Sequence, residues 1–390
     1  MKSLEEIDFG FDELPGMELH SALARFRAHG PIVPTRLYGL PACIIAGHAP
    51  LAAAFKDQHR FPGHRTYEVG FEGVVGRTFI SMQGREHLLF RKLAMPAFRS
   101  SAVESYERDG LAALAHELID RVASRSEADL VEDFAARFPY LVITRVLGLP
   151  RDREDDFHDW AIALLRFRED HERATRAARE LTAMLAPIVE DRRRSPRNDV
   201  ISELVHVEAD GRRLNDEEVY SHVRLLFPTG GETTHGTLGN LLFSLLTEGD
   251  AWERVCADRS LVEGAVDEVL RWESSIAVLP RMSGSEPFEF FGEKVPAETL
   301  VLFGIAGANR DPEVFGDPDR FDIDRRPEGG LTFGPGLKSC PGMHLARKNL
   351  SVALEVLAER LPGLRLVDRA GALPRRTVLR SPDRLRVAWG

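Results

Sequence analysis

The sequence predicts a mainly α fold with small β-sheets, and three observations carry that expectation. A single helical pattern runs unbroken from about Asn215 to Leu246, roughly 48 Å at the α-helical rise. Strand-like runs are short and lie near Gly and Pro, around residues 31–47 and 276–303. Strands nowhere alternate regularly with helices, so no parallel α/β sheet is implied.

In chain order, a short helix is expected at Met17 to His29. Pro31 to Gly47 reads as a strand pair turning at Gly39-Leu40-Pro41. Phe61 to Gly84 is rich in glycine and aromatics without clear periodicity, and a long loop of this kind is usually functional. Helical periodicity resumes at Arg85 to Phe98 and continues, with breaks, to about Arg194. The charged run Asp191 to Asp199 reads as a solvated connection. Asn215, followed three residues later by Glu218, forms a capping box that opens the long helix. A helix this long crosses the whole molecule. Another is expected at Leu261 to Glu273. A Gly- and Pro-rich stretch then ends at Cys340, a helix runs on to about Leu361, and short strands close the chain.

Composition narrows the function. Hydrophobic residues make up 43% and charged residues 29%, which excludes disorder and collagen-like structure. The net charge of −10 argues against a nucleic-acid partner. The three cysteines, Cys43, Cys256 and Cys340, are too few for a disulfide framework or a four-cysteine zinc site. Cys43 and Cys256 read as packing residues. No apolar run approaches the ~18 residues of a membrane span, and Met1 to Asp12 lacks a signal-peptide pattern. A cytoplasmic protein without a membrane anchor is expected. His116-Glu117-Leu118-Ile119-Asp120 has Asp where a zinc-binding motif needs His, and neither Gly230-Gly231 nor Gly334-Pro335-Gly336 is followed by Gly-Lys-Ser/Thr, so no P-loop is implied.

Four constellations remain. The first is the loop from Phe333 through Gly334, Pro335, Gly336, Lys338 and Cys340 to Gly342. Its glycines and prolines hold an irregular backbone, and Cys340 stands at the entry to a helix. Free N–H groups there favour a thiolate. A thiolate in such a loop suits a single axial bond to haem iron. The second is Glu268 with Arg271, three apart on one helix face. Taken alone, this is an ordinary surface pair of little energetic weight. The third is Pro228-Thr229-Gly230-Gly231-Glu232-Thr233 in mid-helix. Two glycines and a proline weaken a helix there, a local rule broken in the way functional sites break it. Missing side chains leave a groove for a small ligand, and Glu232 and Thr233 beside it suit proton relay. The fourth is His87 and Arg91, four apart on one face, two cations that suit an anionic ligand.

These segments resemble the cytochrome P450 family of the soluble bacterial type. The Phe333 to Gly342 loop matches every defined position of that family's haem-binding signature, although Lys338 stands where bacterial members usually carry His or Arg. Gly230, Glu232 and Thr233 are similar to the oxygen-activation motif, with Thr229 in place of the usual Ala and an uncommon Pro228. The order of the motifs, from Gly84 to Arg347, is the family's.

The resemblance implies one domain over residues 1–390, with a β-rich part near 31–47 and a helical core over about 85–361. It implies the triangular P450 fold, haem b between the long central helix and the cysteine-loop helix, and Cys340 as the iron ligand. Phe333, Gly334, Gly342, Thr229 and Gly230 are then expected against the haem. His87, Arg91, Arg281 and Lys338 are expected at its propionates. Glu268, Arg271 and Arg320 of Pro318-Asp319-Arg320-Phe321 are expected to form a structural triad. The implied activity is insertion of one oxygen atom from O2 into a C–H bond. Electrons would come from a ferredoxin or flavodoxin-type partner and its NAD(P)H reductase. A peroxide-driven enzyme and a non-catalytic haem sensor are the alternatives. By position, Tyr67, Phe71, Val74, Phe79, Phe227, Val278 and Leu279 are expected to line a pocket for a hydrophobic small molecule, together with the stretch Phe157 to Phe167. Arg65 and Arg166 are candidates to meet a carboxylate. Arg99, Lys338 and Arg347 are candidates for a basic docking face.

Overall fold

The computed structural model describes residues 2–108 and 110–390. The helix Asp216–Thr247 is its axis. It begins where the sequence places a cap: the Asn215 side chain accepts from the Glu218 N–H at 2.9 Å, and the Glu218 carboxylate accepts from the Asn215 N–H at 3.0 Å. Residues on all its faces are buried, as expected of a helix through the core of a large protein rather than on its surface. Helices Phe138–Leu147, Glu154–Leu165 and His171–Arg194 pack along it. Helices Val262–Trp272 and Met343–Arg360 also pack against it and against each other. Together they enclose the largest apolar core.

A four-stranded sheet stands beside this helical body, in the order Val33–Leu37, Leu40–Ile45, Leu300–Phe303, Leu279–Met282. The first pair is an antiparallel hairpin in which Val33 faces Ile44 and Leu37 faces Leu40. Its turn is Tyr38-Gly39, both in the left-handed region with φ of 52° and 77°. That conformation closes a two-residue hairpin with the twist of the strands. Leu40 and Pro41, expected in the turn, therefore already belong to the second strand. Alternation of side chains along Leu300–Phe303 sends Leu302 into one small core with Phe9, Leu19 and Phe26. Val301 and Phe303 point into another with Phe55 and Phe61.

The stretch 61–84 resolves into two short helices, Arg65–Gly70 and Glu72–Val75, and buries Phe71, Val74 and Phe79. Too short for a visible period, they escape sequence reading. The strand Glu127–Asp129 interrupts the segment expected to be helical with breaks, and it pairs with Arg386–Ala388 at the far end of the chain. No helix among the described residues is long and apolar enough to cross a membrane.

Candidate active site

The cysteine loop is held by its own backbone. The Cys340 N–H donates to the Phe333 carbonyl at 2.8 Å, and the Ser339 N–H donates to Gly336 at 3.1 Å. Gly334 and Gly336 adopt φ of +64° and +98°, which side-chain-bearing residues avoid, and a Cβ at Gly334 would lie 3.0 Å from the Phe55 ring. Gly342 caps the helix Met343–Arg360. The Cys340 thiol is surrounded by protein atoms yet keeps an accessible surface. Burial raises its pKa, against the opposing pull of the Gly342 N–H and the Arg91 guanidinium. At the bare sulfur, burial outweighs the pull of the Gly342 N–H. A metal ion bound to the sulfur reverses that balance, because a coordinating thiol is deprotonated outright.

Beside the loop lies a cluster of cations. Lys338 Nζ donates to the carbonyls of Phe79, Ile80 and Met82 at 3.1, 3.1 and 2.6 Å. It also lies 3.2 Å from His87 Nδ1. The two ring nitrogens of His87 sit 2.7 Å from Phe79 O and 3.1 Å from Leu337 O. Arg91 donates to Ser339 Oγ at 3.0 Å, and Arg281, 6% exposed, lies over the Tyr67 ring. Burial, with Arg281 and Arg91 nearby, lowers the Lys338 pKa to about 7. Burial also lowers those of His87 and His64. Among the described residues, His87, Arg91, Arg281 and Lys338 have no carboxylate paired with them. Crowded basic groups without an anion are costly to charge unless a ligand supplies one. The propionate carboxylates of haem do so, and an accessible thiol at the adjoining loop suits its iron. The residues fit the group. His64, which feels both Lys338 and His87, belongs to this cluster and was missed by sequence reading.

In the central helix, Thr229, Gly230 and Thr233 keep partial accessibility although residues 219–228 and 236–245 are mostly buried. Their spacing puts them on one face. The hydroxyls of Thr229, Thr233, Thr234 and Thr237 each donate back to the carbonyl four residues earlier, at 2.6, 2.8, 3.0 and 2.8 Å. The two glycines do not open a ligand groove, as the sequence suggested. A Cβ at Gly231 would lie 2.4 Å from the Tyr140 ring, and one at Gly230 would lie 3.1 Å from Ile143. They admit the helix Phe138–Leu147. Tyr140 uses that close approach to donate to Glu232 Oε2 at 2.9 Å. The same oxygen is 3.4 Å from His235 Nδ1. Burial pushes the Glu232 carboxyl up, but His235 and Tyr140 more than offset it, so its pKa is lowered and the group stays ionised at neutrality.

Glu268 and Arg271 are no surface pair. Their side chains are 0% and 1% exposed and joined by two hydrogen bonds of 2.8 and 2.7 Å. Arg271 also donates to the carbonyls of Asn309, Pro318 and Arg320. The third member is corrected. Arg320 contributes its carbonyl, while its guanidinium is 67% exposed and 4.0 Å from Asp322. Arg325 instead reaches Glu268 at 3.2 Å, and it ties the Gly316 and Asp317 carbonyls to the same carboxylate.

Other expectations divide. Tyr67 joins Arg281, and Phe71, Val74 and Phe79 enter the main core close to the central helix. Phe227 is fully buried between Tyr140 and Phe157, and Val278 lies in the small core beneath the sheet with Phe9 and Leu19, so neither lines a pocket. Leu279 is half-buried in an edge strand of the four-stranded sheet. Arg65 already pairs with Glu298 at 2.8 Å and Arg166 with Glu169 at 3.8 Å. Of the suggested docking face, Arg347 is paired with Asp267 and Lys338 is turned inward. Arg99 is exposed, and the paired Arg347 keeps 41% of its side chain accessible.

A helical body with a thiol-bearing loop, a cation cluster beside it and a Glu-Thr pair on the central helix defines a haem-thiolate protein. The family model for Cytochrome P450 matches residues 152–361. Cytochrome P450 107B1 of Saccharopolyspora erythraea is 32% identical over 370 residues, 91% of each chain. The Steroid C26-monooxygenase of Mycobacterium tuberculosis (strain CDC 1551 / Oshkosh) is 36% identical over 303 residues, covering 76% of this chain and 81% of its own. The solved structure of cytochrome P450 CYP109Q5 from Chondromyces apiculatus superposes with a TM-score of 0.89 at 30% identity, covering 99% of both chains. The chain belongs to the cytochrome P450 family. It is a P450 monooxygenase whose cofactor is haem b.

Proposed function

We propose that the chain hydroxylates a C–H bond of a hydrophobic small molecule, using O2 and electrons from a separate ferredoxin or flavodoxin-type protein with its NAD(P)H reductase. The observation that carries this reading is Glu232-Thr233 beside the accessible face of an otherwise buried helix. Haem, when bound, supplies the redox chemistry by which one atom of O2 enters the substrate and the other leaves as water, taking up two electrons and two protons. Cys340 would hold the iron, and His87, Arg91, Arg281 and Lys338 would hold the propionates. Glu232, ionised and enclosed, accepts and passes protons beside Thr233. Phe71, Val74 and Phe79 provide an apolar setting that excludes water and suits an apolar substrate. The name of the mycobacterial steroid monooxygenase supports the same substrate class.

The test is turnover of a panel of terpenoids, steroids, fatty acids and aromatics that first shift the haem spectrum on binding. Product is expected with the electron-donor pair and NAD(P)H, and little with peroxide alone. Product with peroxide only would assign a peroxygenase. Tight gas binding without product from any of the panel would assign a sensor.

A further inference from the structure

We propose that His235 and His158 form a proton path from solvent to Glu232, and that Tyr140 is the residue that positions the Glu232 carboxylate. The proposal rests on the monooxygenase reading above and names the groups that serve its proton supply.

A buried carboxylate that gives up a proton must be recharged from somewhere. Glu232 is 15% exposed at its side chain and is hemmed in by the Phe138–Leu147 and Glu154–Leu165 helices. The Thr233 hydroxyl is committed to the Thr229 carbonyl. The polar groups that meet Glu232 are Tyr140 and His235. His235 lies one turn further along the same helix, its Nδ1 3.4 Å from Oε2. Its Nε2 is buried and has no hydrogen-bond partner, so it points a second proton-carrying atom away from Glu232. His158 is half-buried and meets the Tyr140 ring edge-on at 5.3 Å. It feels the charges of both Glu232 and His235, and also of Asp159 and Arg137. His158 lies on a helix whose neighbouring Asp156 and Asp159 are exposed, so the cluster ends at the surface. Two imidazoles, His235 and His158, thus lie on the side of Glu232 that carries Tyr140, each with ring nitrogens that can pass a proton.

Tyr140 differs from them. Its hydroxyl is held far above its ordinary pKa by burial and by Glu232, so it donates a hydrogen bond without releasing its proton. It fixes Oε2 for His235, and Gly231 leaves room for its ring. Glu232, ionised at rest, accepts a proton from His235 and passes it toward the Thr229-Thr233 face, returning to its ionised form. His235 regains its proton through His158, so no charge accumulates.

The experiment compares haem-loaded wild-type protein with His235→Gln, which keeps a hydrogen-bond donor but cannot relay protons at neutral pH. The reduced carbon-monoxide and substrate-binding spectra are expected to be unchanged. Product formation is expected to fall about tenfold, and its pH profile is expected to change. Tyr140→Phe is expected to lower kcat, leave KM unchanged and keep the wild-type pH profile. A second measurement needs no change at His235: histidine NMR titration of the diamagnetic ferrous carbon-monoxide form. Glu232→Gln is expected to lower the midpoint of His158, because the carboxylate that favours its charged form is gone. Wild-type rate and pH profile in His235→Gln, or a His158 midpoint indifferent to Glu232→Gln, would overturn the path. Wild-type protein lacking the thiolate spectrum or any turnover would instead overturn the monooxygenase reading beneath it.

Discussion

Replacing Glu268 with glutamine is expected to give protein that neither folds stably nor retains haem. The carboxylate is fully enclosed and accepts from Arg271, from Arg325 and from the Asp322 N–H. Removing one partner of a buried pair leaves the other charge without compensation, a loss of ~3–5 kcal/mol. That is a large fraction of the ~5–15 kcal/mol by which a native protein is stable. The damage reaches the cysteine loop through Asn309. The Arg271 guanidinium donates to the Asn309 carbonyl, and the Asn309 side chain in turn accepts from the Leu331 N–H and donates to Thr332 Oγ1. A contrast separates this account from the sequence expectation. Arg325→Ala is expected to cost about 2 kcal/mol, as a charged hydrogen bond does when lost. Arg320→Ala, changing an exposed side chain, is expected to stay within about 0.5 kcal/mol. Denaturant midpoints and haem content of the three variants check it, and Arg320→Ala being as damaging as Arg325→Ala would contradict the observed triad.

Acid is expected to destabilise the protein well before its carboxylates titrate. His20 and His222 are fully buried, and burial lowers the pKa of each to about 4 from an ordinary 6.5. His20 lies 2.9 Å from Glu273, and His222 is stacked on Phe90 with Nδ1 2.6 Å from the Glu218 carbonyl. Both are neutral in the fold, so the unfolded chain binds more protons throughout the window between the two values. Their contribution to stability is therefore whole above pH 6.5 and is lost as pH falls toward about 4. Two such groups give a slope approaching about 2.7 kcal/mol per pH unit at the steepest. His64, His87 and His158 are shifted in the same direction and add to it. Glu273, held ionised despite its burial by Arg380, by a hydrogen bond from His20 and by Arg310, adds to the loss of stability only as pH falls below its ordinary value of 4.5. Unfolding free energy measured across this range checks the sign, and a flat profile from pH 6.5 to about 4 would mean that the two histidines are not buried neutral.

Features written in local chemistry were legible in the sequence. The capping box at Asn215 and Glu218 fixes its helix start within four residues. The glycines of the cysteine loop take conformations that only glycine favours, so loop and cysteine could be read together. The choice between Arg320 and Arg325 could not. It depends on how the chain folds back after Asp317, whose φ is +46°, and both arginines lie within reach of Glu268 by sequence distance. Tyr140 carried no signal either, since its partner Glu232 is 92 residues away and only helix packing joins them. The glycines at 230 and 231 stand out in the sequence, but the neighbour they admit does not. A missing Cβ shows that something approaches, not what. The strand Glu127–Asp129 was hidden for a related reason, because its partner is at the end of the chain.

The central claim is that Cys340 is the thiolate ligand of haem iron, and the reduced carbon-monoxide difference spectrum tests it most directly. Wild-type protein is expected to show the red-shifted Soret band of thiolate ligation, and Cys340→Ala to lack it. A Cys340→Ala protein that keeps that band would contradict the account.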